Sequence, residues 1–112
     1  LFSQSHFLCM PVRAEDFGCV FAEAAAFALP SLTTHIGGLP TTVGREGDEH
    51  GEAGILFPFQ EQPQAIAERA HRLLDDRTAY DQLAASARGR YDALLNWETN
   101  SDRLLDLLRA HV

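Results

Sequence analysis

The chain has 112 residues, 46% of them hydrophobic, and a formal net charge of −7 at pH 7. This length allows one domain with a modest core, and the negative charge argues against a general affinity for nucleic acid or anionic membranes. No apolar run is long enough to span a bilayer and no signal peptide is recognisable, so we expect a cytoplasmic protein, at most peripheral to the membrane.

Two predicted strands flank the most apolar helix of the chain. Residues 6–12 form a short apolar run that is typical of a buried strand, and residues 13–17 form a polar loop after it. Residues 18–29 are dense in Ala, Phe, Val and Leu and predict a helix that Pro30 ends. Residues 31–35 are rich in Thr and predict a second short strand.

Glycines mark the turns in the middle of the chain. Gly37 and Gly38 predict a turn before a short helix over residues 39–43. Residues 44–54 are rich in glycine and charge and predict a mobile surface loop. A third, brief strand is predicted at residues 55–57.

The second half of the chain predicts three helices with apolar stripes. Pro63 suits the first turn of the first helix, the acids at 75–76 interrupt the pattern, and Asn96 can cap the last helix. We expect all three stripes to pack in the core: Ile66, Ala70, Leu73 and Leu74; Tyr80, Leu83, Ala84, Ala87, Tyr91, Leu94 and Leu95; and Trp97, Leu104, Leu105 and Leu108.

Strands that alternate with helices indicate an α/β fold with a small parallel sheet followed by C-terminal helices. The order of the strands within the sheet cannot be read from the pattern. The apolar edge at residues 7–12 would be exposed in so small a sheet, which indicates missing upstream strands, an oligomer, or both. Cys9 and Cys19 lie in apolar segments, so we expect buried free thiols.

Two carboxylates, Glu15 and Glu23, bracket the start of the apolar helix in the pattern E-x-F-G-x-x-x-x-E. The free N–H groups of a first helical turn favour an anion such as a phosphate, and α/β sheets bind ligands at this end of their strands. Gly18 removes the side chain where a ligand would approach the backbone. Glu23, about one and a half turns into the helix, can accept hydrogen bonds from a ribose diol, and Glu15 from the hydroxyls of a sugar ring. The arrangement suits a sugar joined to a nucleoside through a diphosphate.

The segment that carries this pattern, residues 10–30, resembles the nucleotide-sugar signature of the group 1 retaining glycosyltransferases, which have the GT-B fold. The resemblance covers nearly the whole chain, although Thr41 stands where the family often has Glu. Four further segments fit it: residues 34–40, 54–58, 73–76 and 96–98.

The resemblance implies that residues 1–112 are the C-terminal part of a nucleotide-sugar-binding domain, a partial Rossmann-like α/β/α sandwich without the N-terminal acceptor domain. Because the first residue is Leu and not Met, we also expect the chain to be part of a longer protein. The reaction implied is transfer of a sugar from a nucleotide diphosphate sugar to an acceptor, with retention of configuration and without a metal ion or cofactor. The resemblance identifies neither the donor's base and sugar nor the acceptor.

The resemblance also assigns roles to individual residues. It implies that Glu23 holds the ribose hydroxyls and that Glu15, the catalytic candidate, faces the donor sugar near the reacting centre. It implies that backbone N–H groups of Phe17, Gly18 and Cys19 contact the sugar hydroxyls and the diphosphate. Glu15 also has a purely structural interpretation, since an acid at a helix N-terminus stabilises the helix dipole by about 0.3–1 kcal/mol.

Two other functions fit the same elements. One is a non-catalytic module whose exposed sheet edge drives self-association or packing against a partner chain. The other is an epimerase acting on a nucleotide sugar, which would share the fold and the ligand but need other catalytic groups.

The chain by itself is predicted to catalyse no sugar transfer. In the family that it resembles, an Arg and a Lys upstream of this region neutralise the diphosphate, so charge on the leaving group would lack its cations here. An assay of the purified chain with UDP-, GDP- and ADP-sugars tests this, and any measured transfer would contradict it.

Overall fold

Three parallel strands form the sheet. The computed structural model describes residues 2–14 and 18–111. The strands are β1 (Leu8–Met10), β2 (Ser31–Thr34) and β3 (Gly54–Phe57), which lie side by side in the order β1-β2-β3. All the pairings are parallel, so the predicted α/β fold with a small parallel sheet is confirmed.

Within the described residues, five α-helices accompany the sheet, together with one 3-10 turn and one π-helical turn. A 3-10 turn at Phe2–Gln4 precedes β1, and a π-helical turn at Tyr91–Leu95 joins the last two helices. The helices are α1 (Cys19–Ala26), α2 (Leu39–Thr42), α3 (Pro63–Asp75), α4 (Arg77–Arg90) and α5 (Trp97–Ala110).

Helices cover both faces of the sheet, because side chains alternate between the two faces along each strand. On one face, Leu56 of β3 packs into a cluster with Phe21 of α1 and Leu39 of α2. On the other face, Leu32 of β2 packs with Ile66 of α3. The result is three layers, which is consistent with a partial Rossmann-like fold.

The helix α1 is shorter than the sequence predicts. It ends at Ala26 rather than at residue 29, because Ala28 adopts a left-handed conformation with φ of 54°. The N–H of Leu29 then donates to the carbonyl oxygen of Ala24 at 3.0 Å. This reverse bond closes the helix before the chain reaches Pro30.

The predicted starts of the C-terminal helices are confirmed. Pro63 is the first residue of α3. The carboxylate of Asp76 accepts a hydrogen bond from the N–H of Ala79 at 3.1 Å and caps α4. The side-chain oxygen of Asn96 accepts one from the N–H of Thr99 at 2.7 Å and caps α5. Each cap supplies an acceptor to a backbone donor that has no partner within its helix.

The prediction that all three C-terminal stripes pack in the core is wrong for the last one, and it is wrong for Leu74 of the first, which is exposed. Tyr80, Ala87 and Leu95 of the middle stripe are buried. None of the residues of α5 is buried, however, and Trp97 is 83% exposed. The helix packs mainly against the π-helical turn just before it, so its leucines reach no part of the sheet.

The cysteines are free, as predicted, but they are not buried. Cys9 lies on β1, at the edge of the sheet, and Cys19 is the first residue of α1. Both residues are exposed. Among the described residues, no helix has the length and apolar character needed to cross a membrane.

A buried cation joins the end of α4 to the segment between β2 and β3. The side chain of Arg90 is 2% exposed. It donates to the carbonyl oxygens of Thr41, Thr42 and Gly51 and, at 2.8 Å, to the carboxylate of Asp48. Four of its five donors are therefore satisfied inside the fold, and the loop predicted to be mobile is anchored at two of its residues.

Asp48 links this network to pH. The N–H of His50 and the guanidinium of Arg90 both donate to its carboxylate, and they hold the pKa of Asp48 below its ordinary value of 3.8. A group with a lowered folded-state pKa contributes stability above its unfolded pKa, and this contribution is lost as the pH falls through the folded pKa.

We therefore expect Asp48→Asn to lower the free energy of unfolding at pH 7, with the difference from wild type shrinking as the pH drops below about 4. Urea unfolding at pH 7, 5 and 3 measures this. The control is Asp81→Asn, which removes an exposed pair with Arg77 and should cost less than about 1 kcal/mol. A difference between Asp48→Asn and wild type that is constant over this range would contradict the assignment.

Candidate functional site

Threonine hydroxyls hold the chain at the carboxyl end of β1. The hydroxyl of Thr33 donates to the carbonyl oxygen of Met10 at 2.7 Å. The hydroxyl of Thr34 donates to the carbonyl oxygen of Val12 and accepts from its N–H at 2.9 Å. These bonds replace ladder bonds, so β1 ends at Met10 and not at residue 12 as predicted. They fix the start of the segment that leads toward residues 15–17.

Gly18 forms the turn into α1. It is the N-cap residue, with a left-handed φ of 75°, a conformation that glycine adopts without steric cost. A Cβ atom at this position would lie 2.6 Å from a ring carbon of Phe21 and 2.7 Å from a methyl of Leu39. The structure thus gives a packing reason for glycine here, in addition to the predicted approach of a ligand to the backbone.

The short helix α2 supports this turn from the side. Gly37 has a φ of 57°, and the N–H of Leu39 donates to the carbonyl oxygen of Ile36 at 3.1 Å. The predicted turn and the short helix that follows it are both present. Leu39 itself is fully buried and lies against the position where α1 begins.

Glu23 lies on the exposed side of α1, in the same cleft as Cys19. The cleft has a volume of about 480 Å³. It combines one carboxylate with aromatic and small side chains: Phe2, Cys19, Ala22, Glu23, Ala26, Phe27, Tyr91, Leu95, Trp97 and Asn100. Because helices rise about 1.5 Å per residue, Glu23, four residues after Cys19, stands about 6 Å along the axis from the start of α1.

The other predicted site residues are distributed as follows. Gly18 and Cys19 stand together at the start of α1, which puts two of the predicted backbone contacts at one helix N-terminus. Glu15 and Phe17 lie outside the described residues, so their predicted roles stay predictions.

The carboxylate of Glu23 has no hydrogen bond or ion pair with any described residue, and its side chain is exposed. It is therefore free to accept hydrogen bonds from outside the fold. Ionised carboxylates only accept, and one can take two neighbouring hydroxyls at once. The amide of Asn100, by contrast, is occupied, because its nitrogen donates to the carbonyl oxygens of Leu94 and Asn96.

No group of three His, Cys, Asp or Glu side chains that could hold a metal ion occurs in the part of the chain that the structure describes. His35 is exposed at the end of β2. The absence of a metal requirement stays a prediction.

Sequence reasoning missed Arg90 and the two threonine hydroxyls. Arg90 lies in a helix rich in exposed charge, so its identity alone does not signal burial. In the sequence, Thr33 and Thr34 indicate only that a strand is present. Their hydrogen bonds to segments distant in sequence can be recognised only in the folded structure.

Comparison with known proteins supports a family assignment. The family described as "Glycosyl transferases group 1" matches residues 1–90. The chain is 33% identical over 98% of its length to a D-inositol 3-phosphate glycosyltransferase of Corynebacterium urealyticum, covering 24% of that protein. It is 32% identical over 80% of its length to a glycogen synthase of Mycobacterium tuberculosis, covering 20% of that protein. An N-acetyl-alpha-D-glucosaminyl L-malate synthase of Bacillus anthracis is 28% identical over 79% of the chain, which covers 22% of that protein.

The chain thus spans about a quarter of the length of the curated relatives it matches. No solved structure matches it significantly.

Three glycines allow the constraint at the start of α1 to be measured. We expect Gly18→Ala to destabilise the fold by about 2–5 kcal/mol, because it combines a strained φ with overpacking. Gly47 has a φ of 82° but an open Cβ position, so Gly47→Ala should cost only the conformational part, about 1–2 kcal/mol.

Gly89 lies inside α4 with nothing near its Cβ position, so Gly89→Ala should stabilise the protein by about 0.5–1 kcal/mol. Chemical denaturation of the three variants measures all of these. If Gly18→Ala cost no more than Gly47→Ala, the contact with Phe21 and Leu39 would not constrain the site.

Proposed function

Because the chain belongs to the group 1 glycosyltransferase family, we propose that it forms the donor-binding portion of a retaining glycosyltransferase. In this proposal the cleft beside α1 binds a nucleotide diphosphate sugar, and the sugar passes to an acceptor bound by other parts of the enzyme. Residues 1–112 then form the C-terminal part of the nucleotide-sugar-binding domain. No metal ion or cofactor takes part.

The observation that carries the proposal is the position of Glu23. An acid within an otherwise apolar helix would be costly if it were buried without a partner. Here Glu23 lines the cleft, and its carboxylate has no bond to any described residue. It stands about 6 Å from the helix start, a spacing that suits a ribose whose 5′ phosphates lie at the N-terminus of α1.

The start of α1 supplies the second part of the proposed site. The N–H groups of Gly18 and Cys19 belong to the positive end of the helix dipole, which favours a diphosphate. Gly18 offers no side-chain oxygen that would cap the first turn of the helix. Glu15 and Phe17, which precede this turn, are proposed to contact the donor sugar, with Glu15 near the reacting centre.

The acceptor differs among the relatives. The names of two of them refer to an inositol phosphate and to malate, whereas a third is a glycogen synthase. By their names, these relatives therefore act on chemically different acceptors. A shared donor-binding region combined with a variable acceptor region accounts for this spread, and it leaves the acceptor of this protein open.

Self-association is a second candidate function, and the edge of the sheet favours it. β1 pairs with β2 on one side only, and Cys9 and Met10 on it are exposed. An unpaired apolar edge strand is a template for another strand. A second copy of the chain, or another part of a larger protein, would satisfy the free backbone groups.

The binding of nucleotides tests the first candidate. We expect calorimetry to detect binding of at least one of UDP, GDP and ADP, or of their sugars. Glu23→Gln should weaken that binding about tenfold or more, because a charge-assisted hydrogen bond is worth about 1.5–3 kcal/mol. The matched control is Glu68→Gln, which changes an exposed acid on α3, the helix on the opposite face of the sheet.

A ligand-side control sharpens this test. The 2′-deoxy nucleotide should bind wild type more weakly, and the Glu23→Gln variant should not distinguish it from the ribonucleotide. Equal affinity of wild type and Glu23→Gln for the ribonucleotide would refute the role of Glu23. No binding by either, together with a dimer on size-exclusion chromatography, would favour self-association.

A further inference from the structure

Arg90 makes its contacts with α2 at the C-terminal end of that helix. Its Nε donates to the carbonyl oxygen of Thr42 at 3.0 Å, and its Nη2 donates to that of Thr41. The last carbonyl groups of a helix lack partners within the helix, and a cation there also opposes the negative end of the dipole. Arg90 therefore acts as the C-terminal cap of α2, although it lies 48 residues farther along the chain.

The helix α2 needs such support. It has four residues, whereas isolated helices shorter than about 12 residues are marginal in water. Besides Arg90, it is held by the burial of Leu39 and of Val43, the residue that follows it. The position of Leu39 thus depends on a helix that does not form by its own propensity.

Leu39 in turn touches the start of α1. A methyl group of Leu39 lies 2.7 Å from the Cβ position at Gly18, and both residues are buried. Leu39 and Phe21 belong to one cluster. A shift of α2 would therefore change the packing under the turn whose backbone N–H groups are proposed to meet the diphosphate.

We propose that Arg90 is a positioning residue for the donor diphosphate. It holds α2 so that Leu39 supports the left-handed turn at Gly18 and keeps the N–H groups at the start of α1 aimed into the cleft. This inference rests on the proposed function of that cleft. It differs from a role in stability alone, because it requires donor affinity to fall in molecules that remain folded.

The test compares two variants that both weaken the core. Arg90→Gln removes the cap of α2, whereas Ile66→Ala opens the cluster on the opposite face of the sheet. Both are studied by calorimetry with nucleoside diphosphates at a temperature where circular dichroism shows each to be folded. We expect Arg90→Gln to weaken binding about tenfold, a usual size for coupling between sites, and Ile66→Ala to leave it within about twofold of wild type, since distant sites are nearly independent.

A second pair of variants serves if Arg90→Gln does not fold. A Cβ at Gly44 would lie 2.8 Å from Nη1 of Arg90, whereas a Cβ at Gly47 meets nothing within 4 Å. Both glycines have φ near 85° (88° and 82°), so Gly44→Ala and Gly47→Ala share the backbone strain and differ in the contacts of the added methyl group, which at Gly44 would displace Arg90 and crowd one of its acceptors, the carbonyl oxygen of Gly51. Donor affinity should fall in Gly44→Ala only.

The remaining outcomes separate this inference from the proposed function. The preference for a ribonucleotide over its 2′-deoxy form should persist in Arg90→Gln, because Glu23 lies farther along α1. Binding by wild type that is unchanged in folded Arg90→Gln or in Gly44→Ala would overturn the inference and leave the proposed function standing. Absence of nucleotide binding by wild type would overturn both.

Discussion

The guanidinium of Arg90 is the interaction on which the arrangement of the middle of the chain depends. It is nearly inaccessible to solvent and bonds to three carbonyl oxygens and one carboxylate. A buried charge is strongly destabilising when its partners are removed, so the segment between β2 and β3 cannot move away without a large energetic cost. The segment is rich in glycine and would otherwise have little to order it. The last turn of α4 thereby holds α2 in place together with the burial of Leu39 and Val43.

Two further sets of contacts act at the two ends of the segment that joins β1 to α1. At the end of β1, the hydroxyls of Thr33 and Thr34 form hydrogen bonds with the backbone of Met10 and Val12. At the start of α1, Leu39 and Phe21 fill the space that a side chain at Gly18 would occupy. Buried hydroxyls must find partners, and overpacking is costly. The turn therefore has little freedom even though Gly18 itself has the most flexible backbone of any residue. Such rigidity is what a site built from backbone N–H groups requires.

Local features of this fold could be predicted from the sequence, and contacts between distant segments could not. The alternation of apolar runs and turn residues predicts the parallel sheet, and the caps at Asp76 and Asn96 follow from short-range chemistry. The early end of α1 could not be predicted in this way, because a left-handed conformation is unusual for an alanine such as Ala28. Trp97 was expected in the core on periodicity alone, yet an apolar stripe shows only that a helix has such a face, not what covers it. For the candidate site, the pattern around Gly18 predicts the helix start and the place of Glu23 on the helix, whereas the supporting role of Arg90 depends on tertiary structure.

The net charge of the chain limits the ways in which a single helix could bind both the diphosphate and the ribose of a nucleotide sugar. With a net charge of −7, the protein as a whole repels a diphosphate, so any attraction must be local. The N-terminus of α1 supplies N–H donors without a formal cation, and its effect falls off within about one turn. Glu23 stands just beyond that turn, where, in the proposed complex, its carboxylate would not compete with phosphate for the same donors but would reach the neutral hydroxyls of the adjoining ribose. In the proposed site, the spacing between Gly18 and Glu23 would therefore separate the region that attracts the diphosphate from the acid that binds hydroxyls, along a single helix. An acid within the first turn would occupy the donors meant for the phosphates.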